Sequence, residues 1–142
     1  MLRLPLARIL ALALMVLTWP GVAHANIGED LAQLRKRYGS AKDMAGQMLF
    51  QHDGYSICVY FDGTVSAMEV FVRDGSLPDK TDISQADIDI ILADQGEGHP
   101  WNQVQSHTGK ATWVRSDGKL IARLSTGDQP DEKYLTIMLN AK

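Results

Sequence analysis

The only cysteine of the 142-residue chain lies in a stretch whose residue types could do covalent chemistry. Cys58 follows His52 by a few residues, and an Asp-Gly pair stands on each side of it. A thiol beside an imidazole is the pairing of a cysteine hydrolase or a redox protein, because the histidine can accept the thiol proton. The run 55–61 argues against this role, since its odd positions are all large and apolar and should face the core, which leaves Cys58 on the other face. We therefore expect Cys58 to be a packing residue.

Two further histidines lie near acidic residues and could act as metal ligands. His99 and His107 flank the segment 100–106, and imidazole with carboxylate suits zinc. Zinc sites that can be recognised in a sequence have short fixed spacings, such as two histidines one helical turn apart, and these histidines do not have one. The Asp-Gly pairs do not form a calcium-loop pattern either. The sequence predicts no metal and no cofactor.

The segment 96–102, Gly-Glu-Gly-His-Pro-Trp-Asn, combines glycines and a proline around one large aromatic residue. Tryptophan is a preferred anchor at protein interfaces, and loops often carry function. Trp101 could equally fold back against the core beneath the second helix, because a tryptophan buries a large apolar area. If Trp101 is exposed, it forms a binding surface with a neighbouring histidine and with residues of an open sheet face. The predicted binding residues are His99, Trp101, Tyr60, Trp113 and Arg115.

Two helices and a series of short strands must position these residues. Apolar residues at helical spacing predict one helix at 29–38 and a second that begins after an N-cap at Ser84 and ends at Gly96. Asp-Gly turns predict hairpins between the extended runs. These runs are 47–51, 55–61, 64–72, 104–106, 110–115 and 119–125, with a last strand at 134–139. The predicted fold class is α+β, an antiparallel sheet with two helices packed on it in the order α-β-β-β-α-β-β-β.

The same pattern of turn residues occurs twice in the chain. When His52-x-Gly54 is laid on His107-x-Gly109, Asp62-Gly63 falls on Asp117-Gly118. This recurrence is consistent with an internal duplication, with repeats at about 27–80 and 82–140. Hairpins also reuse Asp-Gly for steric reasons alone, and convergence is the alternative explanation.

The first 25 residues have the layout of a secretory signal peptide. Arg3 and Arg8 precede the apolar run 9–17, and Trp-Pro-Gly at 19–21 ends it. Small residues at 23 and 25 predict cleavage between Ala25 and Asn26, so that 26–142 forms a single domain. The apolar run is too short to span a bilayer, and we expect a periplasmic or secreted protein without a stable membrane anchor after processing. A retained N-terminal anchor is the alternative.

Charge excludes two classes of partner. Removal of the leader leaves 12 basic and 17 acidic residues, a net charge of −5. Nucleic acids and anionic membrane surfaces both require clustered Lys and Arg. The basic run 35–37 falls in the last turn of the first predicted helix, where cations complement the helix dipole. A single cysteine also means that no internal disulfide stabilises the fold.

The order of turn glycines and packing aromatics resembles that of an uncharacterised family of short exported bacterial proteins. The motifs concerned are Tyr38-Gly39, Asp53-Gly54-Tyr55, Phe61-Asp62-Gly63, Ile91-Leu92, Gly98, Trp101, Trp113-x-Arg115-Ser116-Asp117-Gly118 and Ala122. The doubled helix-plus-meander order is also similar to the tandem architecture of secreted β-lactamase inhibitory proteins, which bind other proteins and catalyse nothing. The second likeness is one of architecture alone and implies no site.

Three functions are compatible with these observations. The leading one is a small exported non-catalytic domain that binds a small ligand or a protein partner in the bacterial cell envelope, the partner being an envelope or secreted protein. The second is a small periplasmic enzyme that uses Cys58 and a histidine. The third is a structural envelope protein that associates with itself through a sheet edge.

Overall fold

Tight turns arrange about half of the described residues into strands, most of which pair with their sequence neighbours. The computed structural model describes residues 27–75, 82–128 and 132–141. Its elements are α1 (Leu31–Tyr38), β1 (Ala41–Met44), β2 (Gln47–His52), β3 (Tyr55–Asp62), β4 (Val65–Arg73), α2 (Gln85–Gln95), β5 (Trp101–His107), β6 (Lys110–Arg115), β7 (Leu120–Thr126) and β8 (Lys133–Leu139). Both helices begin with a capping box, Asp30 with Gln33 and Ser84 with Asp87, which satisfies backbone donors at each N-terminus.

The eight strands form one antiparallel sheet in the order β1-β2-β3-β4-β8-β7-β6-β5. Each half of the chain is a helix followed by a four-stranded meander. The halves join where β4 pairs with β8, with Glu69 opposite Ile137. Because this central pair is antiparallel, an approximate twofold relation about it matches β3 with β7 and β2 with β6.

The predicted α+β class is wrong, because the sheet dominates the fold, whereas the predicted order of elements roughly matches. Strands hold 52% of the described residues and helices 18%, and the order is α-β-β-β-β-α-β-β-β-β. The strand missing from the prediction is β1, whose sequence Ala-Lys-Asp-Met lacks apolar alternation. The turn from β1 to β2 has Ala45 and Gly46 in the left-handed region, with φ of 56° and 90°. The first of these positions is usually Asn, Asp or Gly, and here it is an alanine.

The sequence recurrence does not coincide with the structural halves. It aligns His52, the end of β2, with His107, the end of β5, and so matches β2, β3 and β4 with β5, β6 and β7. The sheet order instead matches β2 with β6 and β3 with β7. The sequence recurrence therefore pairs each strand with the neighbour of its structural counterpart. Independent reuse of turn residues explains such a mismatch.

The core lies between the helices and one face of the sheet. Alternate residues of each strand point towards the helices, and both helices lie on the same face because Tyr38 of α1 and Gln95 of α2 bond to the same side chain, Glu69. Buried apolar residues fill the space between. They are Leu34, Phe50, Ile57, Val59, Phe71, Ile83, Ile88, Ile91, Leu92, Trp113, Leu120, Ala122, Leu135 and Ile137.

Glu69 on β4 is a carboxylic acid at the centre of this core, with no exposed surface. Its Oε2 accepts hydrogen bonds from Tyr38 Oη at 3.0 Å and from Gln95 Nε2 at 2.9 Å. Glu69 Oε1 and Gln95 Oε1 have no hydrogen-bond partner within the described parts of the chain. Burial raises the pKa of Glu69 from its ordinary value of 4.5 to about 7, against the hydrogen bonds, which lower it. Burial disfavours the charged form, so the neutral acid suits this site.

Glu69→Gln should remove a pH dependence of stability. Because the pKa of Glu69 is higher in the folded chain, its effect on the free energy of unfolding is most favourable below pH 4.5 and declines as the pH rises to about 7. The full change is about 3 kcal/mol. A glutamine keeps the shape and stays uncharged at every pH, so we expect Glu69→Gln to be more stable than the wild type at pH 8 and nearly equal to it at pH 4.5. Urea unfolding at both pH values measures this.

Glu132→Gln, a substitution of the same kind at an exposed residue, is the control and should not change the pH dependence. A Glu69→Gln protein that is less stable than the wild type at pH 8 would show that the charged form is the one the core accommodates.

Candidate functional site

The structure places Trp101 and Arg115 at the C-terminal end of α2. Trp101 is partly buried, and its Nε1 donates a hydrogen bond to the backbone oxygen of Leu92 at 2.7 Å. Arg115 is 5% exposed and donates to the backbone oxygen of Gln95 at 3.1 Å and to Glu97 at 2.9 Å. Carbonyls at a helix C-terminus lack partners within the helix and favour a cation. Trp101 therefore folds back beneath the second helix, and together with Arg115 it holds the end of that helix on the sheet.

A carboxylate completes this arrangement. Arg115 also donates two hydrogen bonds to Asp117, at 2.8 Å and 3.0 Å. These bonds hold the pKa of Asp117 at about 2 and raise the pKa of Arg115. His99 is half exposed, with Nε2 3.9 Å from Asp117 Oδ2. Arg115 therefore has a structural role, because its guanidinium already donates hydrogen bonds to Asp117, Glu97 and the carbonyl of Gln95.

The other two predicted binding residues lie elsewhere. Trp113 is 7% exposed and packs in the core, with Ala122 opposite it on β7. Trp113 and Arg115 thus face the helices and not the open face on which the sequence analysis placed them. Tyr60 is half buried on β3 and does lie on the open face, which is the face of the sheet opposite the helices. The five residues do not form one surface.

The geometry does not bring Cys58 near a described histidine. Its thiol lies on the open face and donates to Gln47 Oε1 at 3.3 Å. His52 lies on the helix side of β2, with its ring 5.5 Å from that of Tyr38. His107 ends β5, five strand spacings from β3, which is about 24 Å. Within residues 27–75, 82–128 and 132–141, no group of three or more His, Cys, Asp or Glu could hold a metal ion.

A groove between the two helices is the candidate binding site. It has a volume of about 450 Å³ and runs between the last turn of α1 and the middle of α2. We call it the inter-helix groove. Apolar and aromatic side chains form its floor, namely Tyr38, Tyr55, Ile57, Phe71 and Ile91, and its rim consists of Lys36, Arg37, His52, Asp53, Ile90 and Asp94.

Contacts behind the floor fix its two tyrosines. The Tyr38 ring meets Phe50 edge-on, with ring centroids 5.5 Å apart. The Tyr55 hydroxyl donates to Asp87, and the guanidinium of Arg73 lies 5.6 Å from the Tyr55 ring centroid. Burial raises the pKa of Tyr55 to about 12. Both hydroxyls are occupied as donors, so the rings present fixed apolar surfaces to the groove.

The rim carries little net charge of either sign. Arg37 is paired with Glu29, and both side chains are largely buried. His52 Nε2 lies 3.2 Å from Asp53 Oδ2. Lys36 and Asp94 are exposed on opposite helices. This distribution favours a neutral ligand over a strongly charged one, because neither sign of charge predominates.

Sequence reasoning missed this site, although one signal was present. Ile90 is 64% exposed, directly beside the buried Ile91. The apolar stripe of α2 is therefore wider than the sheet requires, and an isoleucine next to an already complete stripe can indicate a surface site.

No family model and no curated protein matches the sequence. Among solved structures, the chain is similar to a cysteine-rich secretory protein from Staphylococcus aureus, with a TM-score of 0.42 and 14% identity. The match covers 80% of this chain and 44% of the other, so the chain spans less than half the length of that structure. The resemblance to short exported bacterial proteins stays a prediction.

Two findings concern localisation. None of the helices in the described residues is long and apolar enough to cross a membrane. The predicted signal peptide and its cleavage between Ala25 and Asn26 lie outside the described residues.

Arg115→Met should destabilise the fold strongly. The substitution leaves Asp117 and the carbonyl of Gln95 without their partner in a mostly buried place, and we expect a loss of about 3 kcal/mol in the free energy of unfolding at pH 7. Arg35→Met, at an exposed position of α1, is the control, with an expected change under about 0.5 kcal/mol. Guanidinium unfolding measures both. An Arg115→Met protein as stable as the control would show that the cluster does not hold α2.

Proposed function

We propose that the protein is a small exported, non-catalytic binding domain of the bacterial cell envelope, and that the inter-helix groove holds a small, largely apolar ligand. The exported location rests on the predicted signal peptide. The groove supports the choice of a small ligand, because its floor is apolar and aromatic and its rim carries polar groups that orient such a molecule.

The observation that carries this proposal is the composition of the groove. Ligand pockets typically enclose about 300–1,000 Å³, with apolar and aromatic walls and a few polar groups that orient the ligand. The inter-helix groove has about 450 Å³, a floor of five apolar or aromatic side chains and a polar rim. The low net charge of the rim favours a neutral aromatic or aliphatic molecule with one or two hydrogen-bonding groups.

The groove also has the rigidity that a preformed site requires. Tyr38 is bonded to the core through Glu69, and Tyr55 to the first turn of α2 through Asp87. Fixed walls lower the entropy cost of binding, because few side chains must be ordered when the ligand enters.

A fluorescence titration with N-phenyl-1-naphthylamine tests the proposal. This neutral aromatic amine, with a naphthyl group and a phenyl ring, matches the expected ligand chemistry, and its emission rises in apolar surroundings. We expect saturable binding to the wild type and a dissociation constant about tenfold higher for Ile90→Lys, because an ammonium group at the apolar mouth must stay hydrated.

Ala93→Lys is the matched control, because it adds the same residue to an exposed position of the same helix outside the groove. Its dissociation constant should stay within about twofold of the wild type. Equal binding by Ile90→Lys and the wild type, with unchanged circular dichroism, would exclude the groove as the dye site.

A further inference from the structure

The face of the sheet opposite the helices carries a continuous apolar band. Following the strand register from β3 to β6 gives one row of half-buried side chains, Tyr60, Met68, Met138, Ile121 and Val114. Neither helix covers this row, and the turns of the described residues connect strands at the ends of the sheet. We call this side of the sheet the open face.

Two neighbouring rows extend the band along the strands. One contains Leu49, Cys58, Val70, Thr136, Arg123 and Thr112, and the other contains Ser56, Val72, Tyr134 and Ser125. The residues named in these rows include no acid, and Arg123 is their one charged residue. Beyond Leu49 the second row continues to Lys42 on the edge strand β1. An antiparallel sheet with a solvated face normally alternates apolar and polar residues, so a band of this kind indicates a covered surface.

We propose that the open face is covered by the open face of a second copy of the chain. Sheets share a right-handed twist, and two sheets of equal twist pack face to face at about −30° with about 10 Å between them. A copy of this sheet has the complementary curvature by construction. The occupant that the shape favours is therefore the protein itself.

The available area suits a weak but specific dimer. The rows contain 15 positions, on strands about 4.8 Å apart with about 6.8 Å between rows, which gives roughly 500 Å² on each copy. The total of about 1,000 Å² is at the lower limit for a specific interface, and we expect a weak dimer with a dissociation constant on the order of 10 µM.

Charge also favours this face over the rest of the described surface. The chain is acidic, with a net charge of −3, so two copies repel each other at long range. The three rows contain no acidic residue, and two copies therefore approach through them with the least repulsion. Arginine is enriched at protein interfaces, and one Arg123 near the border is compatible with burial.

The sheet edges are poorer candidates for self-association. The edge strand β1 has four residues, and two of them, Lys42 and Asp43, are charged. The other edge strand, β5, has an irregular register between Gln103 and Gln105. Short, charged and irregular edges are the features that prevent strand-to-strand pairing.

Sedimentation equilibrium of the protein recovered after export tests the dimer. We expect a reversible monomer–dimer equilibrium in the wild type, loss of dimer in Val70→Lys at the centre of the open face, and wild-type behaviour in Val104→Lys. Val104 is 61% exposed on the edge strand β5, so the same substitution there probes edge pairing. Val70→Thr keeps the side-chain shape and should raise the dissociation constant about fivefold, which covers the case in which Val70→Lys does not fold.

Labelling of Cys58 by a maleimide gives an independent readout. Cys58 lies on the open face, so its labelling should slow as the protein concentration rises through the dissociation constant. A wild type that remains monomeric at about 500 µM would overturn the proposal, since that is well above the expected constant. Association that survives Val70→Lys and is lost in Val104→Lys would overturn it in favour of edge pairing.

Discussion

Each of the two helices donates a hydrogen bond to the same carboxyl group of the sheet, that of Glu69 on β4. Tyr38 of α1 and Gln95 of α2 donate to the same oxygen, so the two halves of the chain meet at one buried acceptor. The strand that carries it pairs directly with β8 of the other half. The position of each helix relative to the other, and with it the width of the inter-helix groove, depends on these bonds. A buried polar group of this kind specifies one arrangement, because any other leaves the group unpaired.

The same acid links the groove to the protonation state of the core. Tyr38 is both a donor to Glu69 and a wall of the groove. Burial raises the pKa of Glu69 to about 7, so the neutral form is substantially populated near neutral pH. Deprotonation places a charge in this buried region, and burial disfavours the charge even though Arg37 offsets part of it. The Arg115 cluster holds the C-terminal end of α2 independently, which limits how far the change can spread.

Sequence patterns within one or two turns predicted the helix caps and most strands, whereas the pairing of distant strands decided which residues face the core. The N-cap at Ser84 is confirmed, because capping depends on residues one turn apart. Strand β1 was missed, since neither its residues nor its Ala45-Gly46 turn has a strand pattern. Trp113 and Arg115 alternate with Thr112 and Val114, and sequence alone could not decide which pair faces inwards; packing on Ala122 decides it. The groove was not predictable, because it is formed by four segments that are distant in sequence.

Strand β4 has the reverse of the usual distribution across a half-covered sheet. Its acid, Glu69, points into the core, whereas Val70 and Val72 lie on the open face. The inward acid is compensated by Tyr38 and Gln95, so its burial has a local explanation. The two outward valines pair with Thr136 and Tyr134 of β8. No helix among the described residues covers these side chains. Exposed apolar area costs about 25 cal/mol for each Å² relative to burial, so a surface that covers this band lowers the free energy of the molecule.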